Sequence, residues 1–222
     1  MTWARIHGLK MLAEGDQVVS WCNGHGRAFE PETVAAFVAA VKADPACVID
    51  VGAYTGLFTL LAHRAGATEI VAVEPNQKSC TRIRENANLN GCNLTLIEAA
   101  ASDAEGAGYV EVRDAARTGL SSLTKVTTDT TAQPATMRTI DSIARQQRVS
   151  VMKIDVEGHE LRALRGAHHT LAHDHPTLLV EVNSGNGGDR TAEVAEYLGA
   201  LGYDAGQVID GRNMLYCHRG EA

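Results

Sequence analysis

Cysteine is sparse and unpatterned in this 222-residue chain: Cys22, Cys47, Cys80, Cys92 and Cys217, with no CxxC pair. An odd, scattered set excludes a disulfide framework or a zinc ribbon and fits a reducing cytoplasm. No apolar run approaches the roughly 18 residues needed to span a bilayer. The start, Met1-Thr2-Trp3-Ala4-Arg5, lacks the apolar stretch of a signal peptide. Positive charge is also short, with 20 Lys and Arg against 27 Asp and Glu and a net charge of −7. Phosphate neutralisation dominates nucleic-acid affinity, so a general polyanion-binding surface is not expected. The expectation is a cytoplasmic protein with neither membrane nor nucleic-acid partners.

What is present is an ordinary globular composition, 45% hydrophobic and 21% charged, in a length that suits one domain. Four β-rich runs stand out, at 46–51, 69–74, 150–156 and 177–182. Continuous apolar runs without strict alternation suit strands covered on both faces, as in parallel sheets. Segments with helical spacing lie at 57–65, 77–90, 139–147, 160–172 and 190–201, and Pro31 opens a further helix to about residue 43. Strand and helix alternate, so the class is α/β with a mainly parallel sheet. Residues 107–138 break that rhythm and read as an excursion of short strands and a loop. Two short strand candidates, 3–12 and 17–22, precede the core, and Asp210-Gly211 marks a hairpin turn near the end.

The segment Val48-Ile49-Asp50-Val51-Gly52-Ala53-Tyr54-Thr55-Gly56 runs from a buried strand through a glycine-punctuated turn into a helix. Such a turn lets a ligand approach backbone N–H groups at a helix start. Glu74 ends the next strand, 22 residues after Gly52, where an acid can accept hydrogen bonds from ribose hydroxyls. The dinucleotide fingerprint needs G-x-G-x-x-G. Here Gly52-x-x-x-Gly56 is followed by Thr59 rather than a third glycine. A nucleotide cofactor without phosphates is therefore favoured over NAD(P).

The most specific segment is Lys153-Ile154-Asp155-Val156-Glu157-Gly158-His159-Glu160. It sets acids and an imidazole at a strand-to-helix junction, on the carboxyl edge where α/β sheets bind ligands. With Phe29-Glu30-Pro31-Glu32-Thr33, the glycine turn, Val73-Glu74-Pro75-Asn76, Ala101-Ser102-Asp103 and Thr139-Ile140-Asp141, it makes residues 28–183 resemble the FkbM family of S-adenosylmethionine-dependent methyltransferases. The resemblance implies a Rossmann-like class I fold, a seven-stranded mainly parallel sheet with helices on both faces and the last strand antiparallel. It implies one methyltransferase domain over 1–222, with 1–30 as an N-terminal hairpin or cap and 31–222 as the core. Gly52, Ala53 and Gly56 would meet the methionine part of S-adenosylmethionine, Asp50 would hold their loop, and Glu74 would hold the ribose. Asp103 would face the adenine. Asp155 would lie near the methionine amino group or the transferred methyl. Tyr54 stands where the family often has asparagine, and Asn183 where a histidine is common.

Such an enzyme aligns a nucleophile with a methyl group. A hydroxyl nucleophile must also lose a proton, and Glu181, His159 and Asp155 are the candidate bases. An alternative activator is Mg²⁺ on Asp155, Glu181 and Asn183, oxygen donors at adjacent strand ends. His168, His169, His173 and His175 read as a solvated helix face. Ser121-Ser122 after Gly119 resembles a family loop near the acceptor. The reaction expected is O-methylation of a hydroxyl on a sugar, polyketide or other natural product. The alternatives are N-methylation of a peptide or small-molecule amine or amide, a nucleic-acid methyltransferase and an NAD(P) dehydrogenase. Self-association is left open.

Overall fold

The computed structural model describes residues 2–112, 124–129, 132–144, 147–182 and 190–220. The chain begins with a hairpin, β1 (Trp3–Ile6) and β2 (Leu9–Leu12). Helix α1 (Gln17–His25) follows, where Val18, Val19 and Trp21 had suggested a strand over 17–22. The Asp16 carboxylate accepts the Val19 N–H at 3.0 Å, and Gly26 closes the helix in a left-handed conformation. The two caps override the β propensity of the valines. Helix α2 (Pro31–Ala43) then opens on proline.

The central layers alternate as expected: β3 (Cys47–Val51), α3 (Leu57–Ala65), β4 (Glu69–Val73), α4 (Gln77–Asn90) and β5 (Thr95–Ile97). An excursion carries β6 (Ala100–Ala101), β7 (Gly106–Val112), β8 (Thr124–Thr127) and β9 (Gln133–Arg138), which form a separate four-stranded sheet. The chain returns through α5 (Ile140–Ala144), β10 (Val149–Ile154), α6 (Glu160–Arg165), α7 (His168–Asp174), β11 (Thr177–Glu181), α8 (Thr191–Ala200), β12 (Gln207–Asp210) and β13 (Asn213–Tyr216). The single helix expected over 160–172 is broken at Gly166, where a Cβ would fall 1.9 Å from the Ser102 carbonyl oxygen. The close pass of the 100–102 backbone forces the chain to turn there.

The main sheet has seven strands in the order β12-β13-β11-β10-β3-β4-β5. The five strands from β11 to β5 are parallel, while β13 runs antiparallel to both β11 and β12. Every residue of β3 and β10 is buried, as helices on both faces require. Ile49, Met152 and Val180 face one apolar core, and Val48, Val151 and Leu179 face the other. The second core also takes Ile6, Leu9, Met11, Val18 and Val19 from the N-terminal segment, with Val34 and Phe37 of α2 and Leu60 and Leu61 of α3. Hairpin and first helix thus sit on the α2/α3 side of the sheet. Among the described residues no helix is long and apolar enough to cross a membrane.

Candidate active site

Strand parity assembles the site. Lys153 is in register with Asp50 on one side and Leu179 on the other. Registered side chains share a face, so Lys153 and Asp50 point toward the α2/α3 side. Two residues further, Asp155 follows Lys153 and Glu181 follows Leu179, on the same face at the carboxyl edge. The Lys153 side chain is 1% exposed, and Nζ lies 3.6 Å from Asp155 Oδ2 and 5.2 Å from the centre of the Phe58 ring. Its Nζ makes no hydrogen bond to protein. Burial alone would discharge this lysine, but Asp155, Glu181, Glu30 and Asp50 together hold it charged.

Around this cation the carboxyls are crowded. Burial pushes Glu181 up to about 9, and the facing Asp155 carboxyl adds to the effect. Lys153 and Arg212, whose guanidinium Nη2 is 2.9 Å from Glu181 Oε1, oppose it. Glu181 is therefore held well above the ordinary carboxylate range, with its side chain facing Asp155. Burial also raises Glu30, Glu74 and Glu157 to about 7 and Asp50 to about 6. Asp50 is nevertheless fixed, because Thr59 Oγ1 donates to its Oδ2 at 2.6 Å and ties β3 to α3.

The glycine turn lies beside this group. Gly52 has φ +81°, and a Cβ there would fall 1.8 Å from the Asp155 carbonyl oxygen. Glycine at this position is thus demanded by the neighbouring strand end, a reason the sequence reading did not contain. The Gly52 and Ala53 N–H groups donate to the Val73 carbonyl at 2.9 and 3.2 Å. Gly56, at φ +88°, starts α3 and supplies no side-chain cap, while the Thr59 N–H of the first turn is held by the Asp50 carboxyl. Glu74 stands across the turn, 3% exposed. Its Oε2 accepts the Tyr54 N–H at 3.0 Å and its Oε1 the Asn76 N–H at 2.8 Å. Each oxygen has a further lone pair, and Tyr54 itself is held at φ +51°.

Two expected residues have other partners. His159 is buried, with Nε2 3.1 Å from Ser102 Oγ. Burial, helped by Arg162, lowers it to about 4. Its sequence-based appeal was a titration near neutrality; burial removes that, and its charged neighbours are Arg162, Asp103 and Arg190 rather than the strand-end carboxyls. The Asp103 carboxylate is taken up by Arg162, whose Nε lies 3.0 Å from both oxygens. Asn183 and Gly119-Ser121-Ser122 fall outside the described residues. Among the described residues no group of three or more His, Cys, Asp or Glu could hold a metal ion. Asp155 and Glu181 are engaged with Lys153 and Arg212 instead, so the Mg²⁺ expectation finds no support. His169 and His173 stack on each other at 3.9 Å, and His175 stacks on His218 at 3.6 Å.

Lys153, Glu30 and Arg212 were not assigned roles from the sequence. The available signal was a lysine inside an otherwise apolar strand, a position that charged residues occupy only when paired.

The family model for the methyltransferase FkbM domain matches residues 50–205. No curated protein matches the chain. Among solved structures, a methyltransferase FkbM from Methylobacillus flagellatus is 16% identical, with a TM-score of 0.52, over 77% of this chain and 43% of its own. The chain therefore spans less than half the length of that protein. A ribosomal protein L11 methylase from Lactobacillus delbrueckii is 15% identical, with a TM-score of 0.52, over 84% of this chain and 76% of its own. A precorrin-6y C5,15-methyltransferase from Geobacter metallireducens is 14% identical, with a TM-score of 0.51, over 82% of this chain and 84% of its own. At such identities the likeness is one of fold. The family match runs from the end of β3 through α8, the stretch that carries the glycine turn and the strand-end acids, and the chain belongs to the methyltransferase FkbM domain family.

Proposed function

We propose that the protein is an S-adenosylmethionine-dependent methyltransferase of Rossmann-like class I fold, acting on a hydroxyl of a sugar or other small natural product. The observation that carries the cofactor is Glu74, a buried carboxylate oriented by two backbone N–H groups at a strand end beside the glycine turn. The strand order, with β13 antiparallel between β11 and β12, supports the fold reading.

The donor set fits the cofactor. Its sulfonium and ammonium are cationic, and the strand-end group has more carboxyls than cations: Asp50, Glu74, Asp155, Glu181 and Glu30 stand with Lys153 and Arg212. Asp155 Oδ1 is buried without a hydrogen-bond partner, so the ligand's ammonium has an acceptor available. The start of α3 also offers N–H groups to a carboxylate. Glu74 would take the ribose hydroxyls and the 52–56 backbone the methionine part. S-adenosylmethionine supplies an electrophilic methyl on sulfur. The protein must hold the acceptor oxygen in line with that methyl and take up its proton.

The acidic site also supports a neutral or hydroxyl-rich acceptor over an anionic one, since an added negative charge would meet Asp155 and Glu157. Net charge −7 likewise argues against nucleic acid as partner. The test is thermal stability with S-adenosylmethionine or NAD added at 100 times a micromolar Kd, where ligation should stabilise by about 2.7 kcal/mol. A rise with the first and none with the second is expected. A rise with NAD alone would reject the reading.

A further inference from the structure

We propose that Asn86 is the positioning residue of the cofactor turn, and that through it the N-terminal hairpin takes part in binding S-adenosylmethionine. The inference rests on the cofactor reading above and deepens it, by naming what holds the 54–56 backbone in the shape the ligand meets.

Asn86 is fully buried on α4, in a stripe of three polar residues spaced four apart. Arg82 Nη2 donates to the Glu14 carbonyl at 2.6 Å. Asn86 Oδ1 accepts the Leu12 N–H at 2.8 Å. Asn90 Oδ1 accepts the Lys10 N–H at 3.0 Å, and its Nδ2 donates to the Lys10 carbonyl at 2.7 Å. Four residues of helix rise about 6.0 Å and two residues of strand about 6.6 Å. The stripe therefore keeps step with the chain from Lys10 to Glu14, running the opposite way. It gives the edge of β2 that β1 does not pair a substitute for a neighbouring strand. Asn86 also reaches past the hairpin: its Nδ2 donates to the Thr55 carbonyl at 2.9 Å, inside the glycine turn.

That bond completes a grip on two consecutive residues. The Tyr54 N–H is held by Glu74 Oε2 at 3.0 Å, and the Thr55 carbonyl by Asn86. Tyr54 has φ +51° and Gly56 φ +88°. A left-handed tyrosine persists only where its surroundings over-determine it. The orientation of the carboxamide is fixed as well. An N–H can only donate and a carbonyl can only accept, so Leu12 selects Oδ1 and Thr55 selects Nδ2. A turn released at Thr55 loosens the Tyr54 N–H on Glu74, and Glu74 then loses one of the two donors that orient it toward the ribose. Asn90 bonds only Lys10 and its own helix, so it reports hairpin docking without the turn.

The test uses the full chain as wild type, Asn86→Ala, Asn86→Asp and Asn90→Ala, at a temperature where circular dichroism shows each folded. In the ligand-free protein the Tyr54 N–H should exchange with deuterium about tenfold faster in both Asn86 variants, as the loss of a hydrogen bond implies, and at the wild-type rate in Asn90→Ala. Calorimetric affinity for S-adenosylhomocysteine should fall about tenfold in the Asn86 variants and stay within about twofold of wild type in Asn90→Ala. A merely structural role would lower the melting temperature of all three without this split. Coupling is reciprocal, so S-adenosylhomocysteine should also slow exchange of the wild-type Leu12 N–H, a readout that stands even if the Asn86 variants do not fold. Wild-type affinity in the Asn86 variants, an equal loss in Asn90→Ala, or a Leu12 N–H indifferent to the ligand overturns the proposal. Failure of the wild type to bind S-adenosylhomocysteine would instead reject the cofactor reading, while exchange at Tyr54 would still decide whether Asn86 holds the turn.

Discussion

Glu74 and Glu181 hold equivalent places in the sheet and do different chemistry. Each stands at the carboxyl edge of a parallel strand, and their exposures of 3% and 5% are nearly equal, so burial does not separate them. Their partners do. Glu74 receives two backbone N–H groups, one per oxygen, and titrates at about 7. Glu181 faces another carboxyl, and rises to about 9 despite Arg212. A strand-end acid that is given donors becomes an acceptor fixed in orientation. One that is given a second acid is pushed further up instead.

The comparison breaks most severely at Lys153, the cation that tempers this group of acids. Lys153→Met should destabilise the fold by about 3–5 kcal/mol, because it leaves buried carboxylates uncompensated; chemical denaturation would measure it. Next comes Gly52→Ala, which drives a Cβ into the Asp155 carbonyl and should cost about 3 kcal/mol. A cost below about 1 kcal/mol would mean that the β3 and β10 ends are not pressed together.

A smaller effect separates the two glutamates by pH. Both have folded pKa values above the unfolded 4.5, so the folded chain holds their protons more tightly. The stability each contributes is full below about pH 4.5 and is lost as pH rises, through about 7 for Glu74 and about 9 for Glu181. The melting temperature of the ligand-free protein should therefore fall from pH 5 to pH 9. Glu181→Gln, which mimics the protonated form, should flatten that fall over its whole range, and Glu74→Gln only the part below about pH 7. Identical curves for the two variants would remove the distinction. The smallest effect is expected at Arg162→Ala, where the Arg162 side chain is 55% exposed and loss of the Asp103 pair should change stability by less than about 1 kcal/mol.

Much of this arrangement was legible in the sequence. The apolar runs closing on Asp50, Glu74, Asp155 and Glu181 located the strands and their carboxyl edge, because burial on both faces leaves a continuous hydrophobic signature. Gly52 and Gly56 marked the turn. What the runs could not convey was lateral pairing. That Lys153 sits beside Asp50, and that Thr33 in the first turn of α2 reaches Asp210 at the end of β12, depends on register and on the packing of α2. The same gap explains His159 and Asp103. Their local setting suggested a base and an adenine contact, while their partners, Ser102 for His159 and Arg162 for Asp103, come from separate segments of the chain. Residues 17–22 misled because β-branched side chains carry strand propensity, while the decisive cap, Asp16, acts through a single hydrogen bond.

The central claim is that Glu74 binds the ribose of S-adenosylmethionine at this edge. Calorimetric titration of S-adenosylhomocysteine into the wild type and Glu74→Ala tests it most directly. Lost hydrogen bonds to a charged acceptor should cost about 1.5–3 kcal/mol, a weakening of about tenfold to about a hundredfold, with the fold intact by circular dichroism. Equal affinity in the two proteins would contradict the assignment.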